Sequence, residues 1–225
     1  MKINAFIPAR MKSSRFPGKP LIKLNGKSMI EHVWTRTKLC KELNEVFIAT
    51  CDEEIKEESN KFGAKVIMTS KNHEMCMSRI AEAASKEPSD ITVTVQGDEP
   101  LIKPEMISQT ISNLKKNEKL FATTLAQKII KQSEITDPNR VKIIWDNNNE
   151  VIYISRESIP SAQKTKNHID YYKMVCVYTM SHESLKNYEK FGESKLEMLE
   201  SIDMLRIIEN NKRLGINIID GEVEN

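Results

Sequence analysis

The amino-acid sequence predicts an α/β protein with a doubly wound, mostly parallel sheet and a hairpin-bearing insertion. Strand and helix signals alternate through residues 3–127, which is the order that βαβ units produce. Residues 91–95, Ile-Thr-Val-Thr-Val, are all β-branched, as expected for a strand that is buried on both faces. Farther along, residues 146–150, Asp-Asn-Asn-Asn-Glu, separate two short β-forming runs and predict the hairpin.

The elements of the first half have recognisable ends. Ser28 and Glu31 match a capping box that begins one helix, and Asp52 caps the next, which ends at Gly63. Pro104 suits the first position of a later helix, because an N–H at that position would have no partner within the helix and its absence costs nothing. The predicted strands are 3–7, 46–50, 65–68, 91–95 and 121–127, and the predicted helices are 28–43, 53–62, 78–86 and 104–117.

The second half is more irregular. Its predicted strands are 141–145, 151–154, 174–179 and 216–219, and its predicted helices are 181–191 and 196–211. No repeat, low-complexity tract or flexible linker interrupts the sequence. Residues 1–225 are therefore expected to form a single domain that carries the hairpin as an insertion.

Composition narrows the class of protein. The chain has 34 basic and 32 acidic residues and a formal charge of +2, a balance that argues against a general nucleic-acid-binding protein. No apolar run approaches the length of a membrane span, and no signal-peptide pattern begins the sequence. The cysteines at 40, 51, 76 and 176 lack paired spacing and are expected to be reduced thiols. We expect a soluble, cytoplasmic protein.

A basic segment, residues 7–21, follows the first predicted strand. It combines cations and hydroxyls with the turn formers Pro17 and Gly18. Such a loop at the carboxyl end of a strand suits a polyanion, so we expect Arg10, Arg15 and Lys19 to hold a nucleoside triphosphate. The segment matches neither the P-loop pattern nor the dinucleotide fingerprint.

Two acidic features complete the candidate site. Asp98 ends the buried strand within Gln96-Gly-Asp-Glu-Pro100, where it either serves as an ordinary turn residue or holds Mg²⁺ beside the triphosphate. The segment 196–206 repeats an acid every three residues. These acids favour a solvated helical face with an ion pair to Arg206, and a contact with sugar hydroxyls is the alternative.

Together these segments resemble the sugar-acid cytidylyltransferases, a family that includes the CMP-KDO synthetases and the acylneuraminate cytidylyltransferases. The fit is best to the CMP-KDO synthetases, and it spans nearly the whole chain. The matching motifs are residues 7–21 (IPARMKSSRFPGKPL), 95–100 (VQGDEP), 137–142 (DPNRVK), 155–160 (SRESIP) and the helix that contains Glu197, Glu200 and Arg206.

The resemblance implies a Rossmann-like nucleotidyltransferase fold and a reaction in which the anomeric hydroxyl of a 3-deoxy-2-ulosonic acid attacks the α-phosphorus of CTP. The products would be a CMP-sugar for cell-surface polysaccharide synthesis and pyrophosphate. The implied roles are as follows: nucleotide binding by Arg10, Ser13, Arg15, Lys19 and Arg79; catalysis by Arg10, Lys19 and Asp98; Mg²⁺ binding by Asp98; and sugar binding by Gln96, Arg156, Lys173, Glu200 and Asp203. A homodimer is also implied, with its interface in the insertion around residues 140–175.

The chain departs from the family pattern in three places. A Ser-Gly-Thr-x-Arg segment is replaced by residues 75–79, Met-Cys-Met-Ser-Arg, so that only Arg79 is retained. Lys173 and Val177 stand where CMP-KDO synthetases place His and Tyr against the sugar. A second metal-binding Asp is expected just past Asn225, since Asp220 is out of register.

Two alternatives to cytidylyl transfer remain at the level of sequence. One is a nucleotidyltransferase that uses another nucleotide or a sugar phosphate. The other is a non-catalytic nucleotide-binding regulator, which the altered segment 75–78 makes reasonable.

Overall fold

The computed structural model of the protein describes residues 1–12, 16–165 and 168–219. Its strands are β1 (Ile3–Ala9), β2 (Lys23–Leu24), β3 (Lys27–Ser28), β4 (Glu45–Thr50), β5 (Lys65–Met68), β6 (Ile91–Val95), β7 (Ala122–Lys128), β8 (Lys142–Trp145), β9 (Val151–Ser155), β10 (Tyr172–Ser181) and β11 (Leu214–Ile219). Its helices are α1 (Met29–Lys38), α2 (Glu53–Lys61), α3 (Cys76–Lys86), α4 (Pro104–Lys116), α5 (Gln132–Ile135), α6 (His182–Phe191), α7 (Lys195–Glu200) and α8 (Leu205–Glu209).

The main sheet has the order β11-β7-β10-β6-β1-β4-β5, with β8 and β9 attached beside β10. Strands β1, β4, β5 and β6 run parallel, and β7 and β11 share their direction. Strand β10 alone of these seven runs the other way, because it pairs antiparallel with both β6 and β7. The predicted α/β class with a mostly parallel sheet is confirmed, and so is the predicted hairpin, which is β8 and β9.

Helices cover both faces of the sheet, which explains the apolar central strands. All seven residues of β1 and all five of β6 are buried. Along β1, Ile7 belongs to one apolar cluster with residues of α1 and α4, whereas Phe6 belongs to the opposite cluster with residues of α3, α6 and α8. Side chains of a strand alternate between faces, so a strand between two helical layers needs apolar residues at every position.

The continuous helix predicted for residues 196–211 is wrong. The chain forms α7 and α8 instead, with Ser201 between them in the left-handed conformation at φ 53°. A non-glycine residue rarely adopts that backbone, and it ends α7. Strand β10 also begins at Tyr172, two residues before the predicted start.

Within the described residues, no helix combines the length and the apolar character needed to cross a bilayer.

Candidate active site

A cleft of about 790 Å³ opens where β1 and β6 end at their carboxyl edge. One wall carries Lys19, which belongs to the basic segment, and the floor carries Asp98. The other wall carries Arg156 and Lys173 from the insertion and from the start of β10. Open α/β sheets bind ligands at this edge, where strand ends and connecting loops leave a crevice.

The ends of the basic segment are fixed to the fold. Met11 donates its N–H to Asp52 Oδ2 at 2.8 Å, and Gly18 donates its N–H to the Met11 carbonyl at 3.0 Å. Gly18 has φ 77°, a conformation open to glycine at little cost, and it leads into a 3₁₀ turn at Lys19–Leu21. The predicted phosphate ligands Ser13 and Arg15 lie outside the described residues. Asp52 was predicted only as a helix cap, and its hydrogen bond to Met11 was not foreseen.

Gly97 explains how the end of β6 approaches the end of β1. A Cβ at this position would lie 2.6 Å from the Pro8 carbonyl oxygen, so only glycine allows the two backbones to come this close. The close approach brings Asp98 to the basic segment, where Lys19 Nζ lies 2.8 Å from Asp98 Oδ2. Two residues that are 79 positions apart in the sequence thus meet in the cleft.

The segment that departs from the family pattern borders the cleft and a side recess of about 170 Å³. Arg10 donates to the Glu74 carbonyl at 3.1 Å, and Gln96 Nε2 donates to Cys76 Sγ at 3.0 Å. Arg79 lines the recess but is only 3% exposed, and it donates to Thr69 Oγ1 and to the Ser70 carbonyl. Arg10, Gln96 and Arg79 therefore surround the recess next to the basic segment.

Glu99 lies beneath the floor of the cleft and is 5% exposed. Its Oε1 accepts a hydrogen bond from the Cys176 N–H at 3.3 Å, and no described residue bonds its Oε2. Burial raises the pKa of this carboxyl to about 7, and the neighbouring charge of Asp98 adds to the shift. Neighbouring residues do not signal this burial, because Gln96-Gly-Asp-Glu-Pro100 has the composition of an exposed turn.

Arg156 joins the insertion to the end of α7. Its guanidinium donates to the carbonyls of Glu200, Pro138 and Ser201 at 2.6, 2.9 and 3.1 Å. The Glu200 carboxylate accepts hydrogen bonds from Ser155 Oγ at 2.7 Å and from the Arg156 N–H at 2.9 Å. The two predicted sugar-binding residues Arg156 and Glu200 therefore lie together, and both already have protein partners.

A second cationic group lies on the same wall. Lys173 is 6% exposed, and its Nζ donates to Glu134 Oε2 at 3.0 Å. Arg140 Nε lies 3.6 Å from the other oxygen of Glu134. Beside them, the fully buried Lys142 donates to the Asp137 carbonyl at 2.8 Å, which fixes the loop that carries Arg140. Burial lowers the pKa of Lys142.

Asp203 links the two walls. It is 9% exposed, lines the cleft, and accepts the N–H of Met77 at the start of α3 through Oδ1 at 2.9 Å. Burial raises the pKa of Asp203 to about 6 although the Met77 hydrogen bond opposes the shift. Asp203 therefore fixes the altered segment against the α7–α8 connection.

The predicted solvated acidic face on residues 196–206 is wrong. Glu197 and Arg206 are 0% and 2% exposed and form a two-point ion pair, with Nε–Oε2 at 2.7 Å and Nη2–Oε1 at 2.8 Å. The bend at Ser201 brings Arg206 against Glu197, so the ion pair forms with Glu197 and not with the acid three residues before Arg206. This ion pair supports the wall that carries Asp203.

Basic side chains therefore line both ends of the cleft, Arg10 and Lys19 at one end and Arg140, Arg156 and Lys173 at the other, where Glu134 already pairs with Arg140 and Lys173. Asp98 lies on its floor. Such a distribution of charge suits two anionic molecules bound side by side, since each cationic wall compensates one of them.

Comparison with known proteins identifies the family. A family profile described as cytidylyltransferase matches residues 4–214. The chain is 41% identical over 217 residues to 3-deoxy-manno-octulosonate cytidylyltransferase from Fusobacterium nucleatum, covering 96% of this chain and 88% of the relative. It is 37% identical over 222 residues to 8-amino-3,8-dideoxy-manno-octulosonate cytidylyltransferase from Shewanella pealeana, covering 97% and 90%.

A solved structure gives the same result. The fold superimposes on CMP:2-keto-3-deoxy-manno-octonic acid synthetase complexed with CTP with a TM-score of 0.89, at 32% identity and over 98% of this chain and 91% of that one. The fold also resembles a putative glucose-1-phosphate thymidylyltransferase from Bacillus anthracis, with a TM-score of 0.70 at 18% identity. The family profile, the identities and the superposition agree with the resemblance noted in the sequence, and the chain belongs to the cytidylyltransferase family.

Proposed function

We propose that this protein transfers the cytidylyl group of CTP to the anomeric hydroxyl of a 3-deoxy-2-ulosonic acid and releases pyrophosphate. The observation that carries the proposal is the cleft in which Lys19 and Asp98 meet, between one cationic wall for a polyphosphate and another for a carboxylate. Relatives at about 40% identity carry the names of enzymes of this kind.

The nucleotide is proposed to bind at the end formed by the basic segment. Arg10 and Lys19 supply countercharge for its phosphates, together with Ser13 and Arg15 as the family resemblance implies. The recess beside Arg79 receives the base. Because Arg79 is buried and bonded to the segment 69–70, its proposed role is to shape this recess.

The sugar acid is proposed to bind at the opposite end. Gln96 borders the cleft and offers its amide to the acceptor, and Lys173 on the same wall would contact the acceptor by exchanging its bond with Glu134. Arg156, Glu200 and Asp203 are proposed to act by holding the wall in place, because their polar atoms already bond the insertion, α7 and α3.

Asp98 is the proposed ligand of Mg²⁺. Its carboxylate is half exposed on the floor of the cleft. No group of three or more His, Cys, Asp and Glu side chains suited to a metal is found among the described residues. A single carboxylate beside a triphosphate fits Mg²⁺, which commonly binds one or two carboxylates with substrate phosphates and water. When bound, the ion would neutralise phosphate charge during transfer.

The chain's own residues are proposed to act by positioning and electrostatics. The anomeric oxygen forms a bond to the α-phosphorus, the bond to the pyrophosphate oxygen breaks, and the hydroxyl proton leaves to solvent. Lys19 and Arg10 stabilise the negative charge that builds up on the phosphates and on the departing pyrophosphate. The walls hold the acceptor oxygen in line with the leaving group, which removes most of the entropic cost of the encounter.

Two acceptors are candidates, because the relatives include enzymes named for 3-deoxy-manno-octulosonate and others named for its 8-amino-3,8-dideoxy analogue. We also propose a cytoplasmic homodimer whose interface includes the β8–β9 hairpin within residues 140–175. An exposed apolar side chain on that hairpin, Ile152 at 54% exposure, supports this surface.

The test is pyrophosphate release by the purified protein with CTP or UTP and a panel of sugar acids that includes both acceptors. Turnover with CTP and one of these acids, lost in Asp98→Asn, supports the proposal. Preference for UTP or for a sugar phosphate would replace it with another nucleotidyl transfer. Tight CTP binding without turnover would indicate a non-catalytic nucleotide-binding protein. Sedimentation of Ile152→Asp beside the wild type tests the dimer.

A further inference from the structure

We propose that Lys19 pairs with the metal-binding carboxylate of Asp98 in the free protein, and that CTP, by drawing Lys19 away, makes this carboxylate more available to a divalent cation. Lys19 would thereby couple nucleotide binding to metal binding. The inference rests on the proposed function, since it assigns Asp98 to the metal and Lys19 to the phosphates.

The ion pair is formed by two well-anchored backbones. Lys19 begins the 3₁₀ turn after Gly18, and the Leu21 and Ile22 N–H groups close that turn on the carbonyls of Gly18 and Lys19 at 2.9 and 3.2 Å. Asp98 lies in a turn closed by the Glu99 N–H on the Gln96 carbonyl at 3.2 Å. The fold therefore holds the two backbones where the Lys19 ammonium can reach the Asp98 carboxylate.

The geometry makes Lys19 and a metal ion competitors. Lys19 Nζ lies 2.8 Å from Asp98 Oδ2, so an ion bound to that oxygen would stand next to an ammonium group. Like charges at such short range repel, and one of the two cations must move. A triphosphate offers several anionic oxygens to Lys19. When the Lys19 ammonium donates to these oxygens, the Asp98 carboxylate becomes free to bind a metal ion.

The expected size of the effect is modest. Both side chains are partly exposed, at 39% for Lys19 and 48% for Asp98, so solvent screens the pair. Exposed pairs of this kind shift equilibria by about two- to fivefold. Linkage is reciprocal, so the factor by which bound CTP tightens metal binding is also the factor by which bound metal tightens CTP binding.

The test measures Mn²⁺ binding to the free protein, without nucleotide, from the electron paramagnetic resonance signal of unbound Mn²⁺. We expect Lys19→Met to bind Mn²⁺ about two- to fivefold more tightly than the wild type. In a parallel titration with EDTA present, the same variant should bind CTP more weakly. One substitution thus moves the two affinities in opposite directions.

Matched variants separate direct contact from general charge. Lys65→Met removes an exposed lysine that pairs with Glu45 at 2.6 Å, away from the cleft, and should leave Mn²⁺ affinity unchanged. Arg10→Met removes a cation from the same cleft. If Arg10→Met tightens Mn²⁺ binding as much as Lys19→Met, the effect comes from the field of the cleft and the proposal is overturned.

Two further results would decide against it. Unchanged or weaker Mn²⁺ binding by Lys19→Met, in protein with a wild-type circular dichroism spectrum, would show that Lys19 does not obstruct the site. A gain of affinity that persists in the Asp98→Asn background would place the metal elsewhere. Failure of the proposed function is distinguishable, because it would appear as absent CTP binding in the wild type.

Discussion

Arg206 donates hydrogen bonds from two nitrogen atoms to the carboxylate of Glu197, and both residues are buried beneath the wall of the cleft. The Arg206 guanidinium also stacks over the ring of Tyr188, 4.4 Å from its centroid, and the Tyr188 hydroxyl donates to Glu197 Oε1 at 3.1 Å. The ion pair joins α7 to α8 across the bend at Ser201. The position of Asp203, which lies within this bend, therefore depends on a contact between two residues that do not line the cleft.

Arg206→Met should destabilise the protein strongly. Removing one partner leaves the Glu197 charge buried without its cation, which typically costs about 3–5 kcal/mol. Urea denaturation measures the loss in free energy of unfolding. Lys56→Gln, which removes an exposed pair with Glu53, should leave the free energy of unfolding almost unchanged. Equal effects of the two substitutions would contradict a structural role for the buried pair.

Gly97→Ala should weaken CTP binding as well as stability. The new methyl group would lie 2.6 Å from the Pro8 carbonyl oxygen, so the ends of β1 and β6 must separate. Forced repacking of this kind commonly costs about 1–3 kcal/mol. Gly26→Ala is the control, because Gly26 has φ +84° but open space around it, and its cost should be confined to local backbone strain. Calorimetric titration with CTP should show a loss of affinity only for Gly97→Ala.

Asp52→Ala should lower CTP affinity by about tenfold. A hydrogen bond to a charged group contributes about 1.5–3 kcal/mol, and the loop should recover part of that energy by rearranging. The substitution removes the acceptor that holds the Met11 N–H at the start of the basic segment. Asp52→Asn keeps a side-chain oxygen and should recover part of the affinity. If Asp52→Ala binds CTP as the wild type does, the segment does not depend on this anchor.

Asp203 should make stability fall as pH rises. Its folded pKa of about 6 lies above the ordinary value of 3.8, so the folded state holds this proton more tightly than the unfolded state does. The stabilisation is complete below pH 4 and is lost as pH rises through 6, by about 3 kcal/mol.

The measurement is the free energy of unfolding at pH 4 to 8 for the wild type and Asp203→Asn. The variant keeps an oxygen for the Met77 N–H and loses the titration, so its stability should decline less over this range. Glu54→Gln, on the exposed face of α2, serves as the control and should follow the wild type. Parallel curves for the wild type and Asp203→Asn would refute the assignment.

Local chemistry made much of the fold predictable. The β-branched run at 91–95 became the buried strand β6, and Pro104 begins α4 as its fixed φ favours. The bend at Ser201 was not predictable in the same way, because regularly spaced acids mimic a helical stripe. The ion pair that stabilises the bend joins Glu197 to a residue nine positions away, which no local pattern signals.

In the candidate site, too, residues within local motifs were predictable and residues that depend on distant partners were not. Lys19 and Asp98 stand in recognisable motifs, and the fold brings them to one cleft. The roles of Asp52 and Glu134 in the site were not predicted from the sequence. Each residue bonds a partner about 40 positions away, Met11 for Asp52 and Lys173 for Glu134. The burial of Glu99 was not foreseen, because it depends on β10, whose Cys176 N–H donates to the Glu99 carboxylate from a distant part of the sequence.

The reversed direction of β10 has a consequence for how the protein can vary. Because β10 runs against β6, its first residues, including Lys173, project past the end of β6 onto the edge where Asp98 lies. The proposed acceptor side of the cleft thus takes Lys173 from the start of β10, whereas the proposed nucleotide side takes Arg10 and Lys19 from the first twenty residues. We therefore expect substitutions at the start of β10 to change the proposed acceptor preference more than the proposed nucleotide preference.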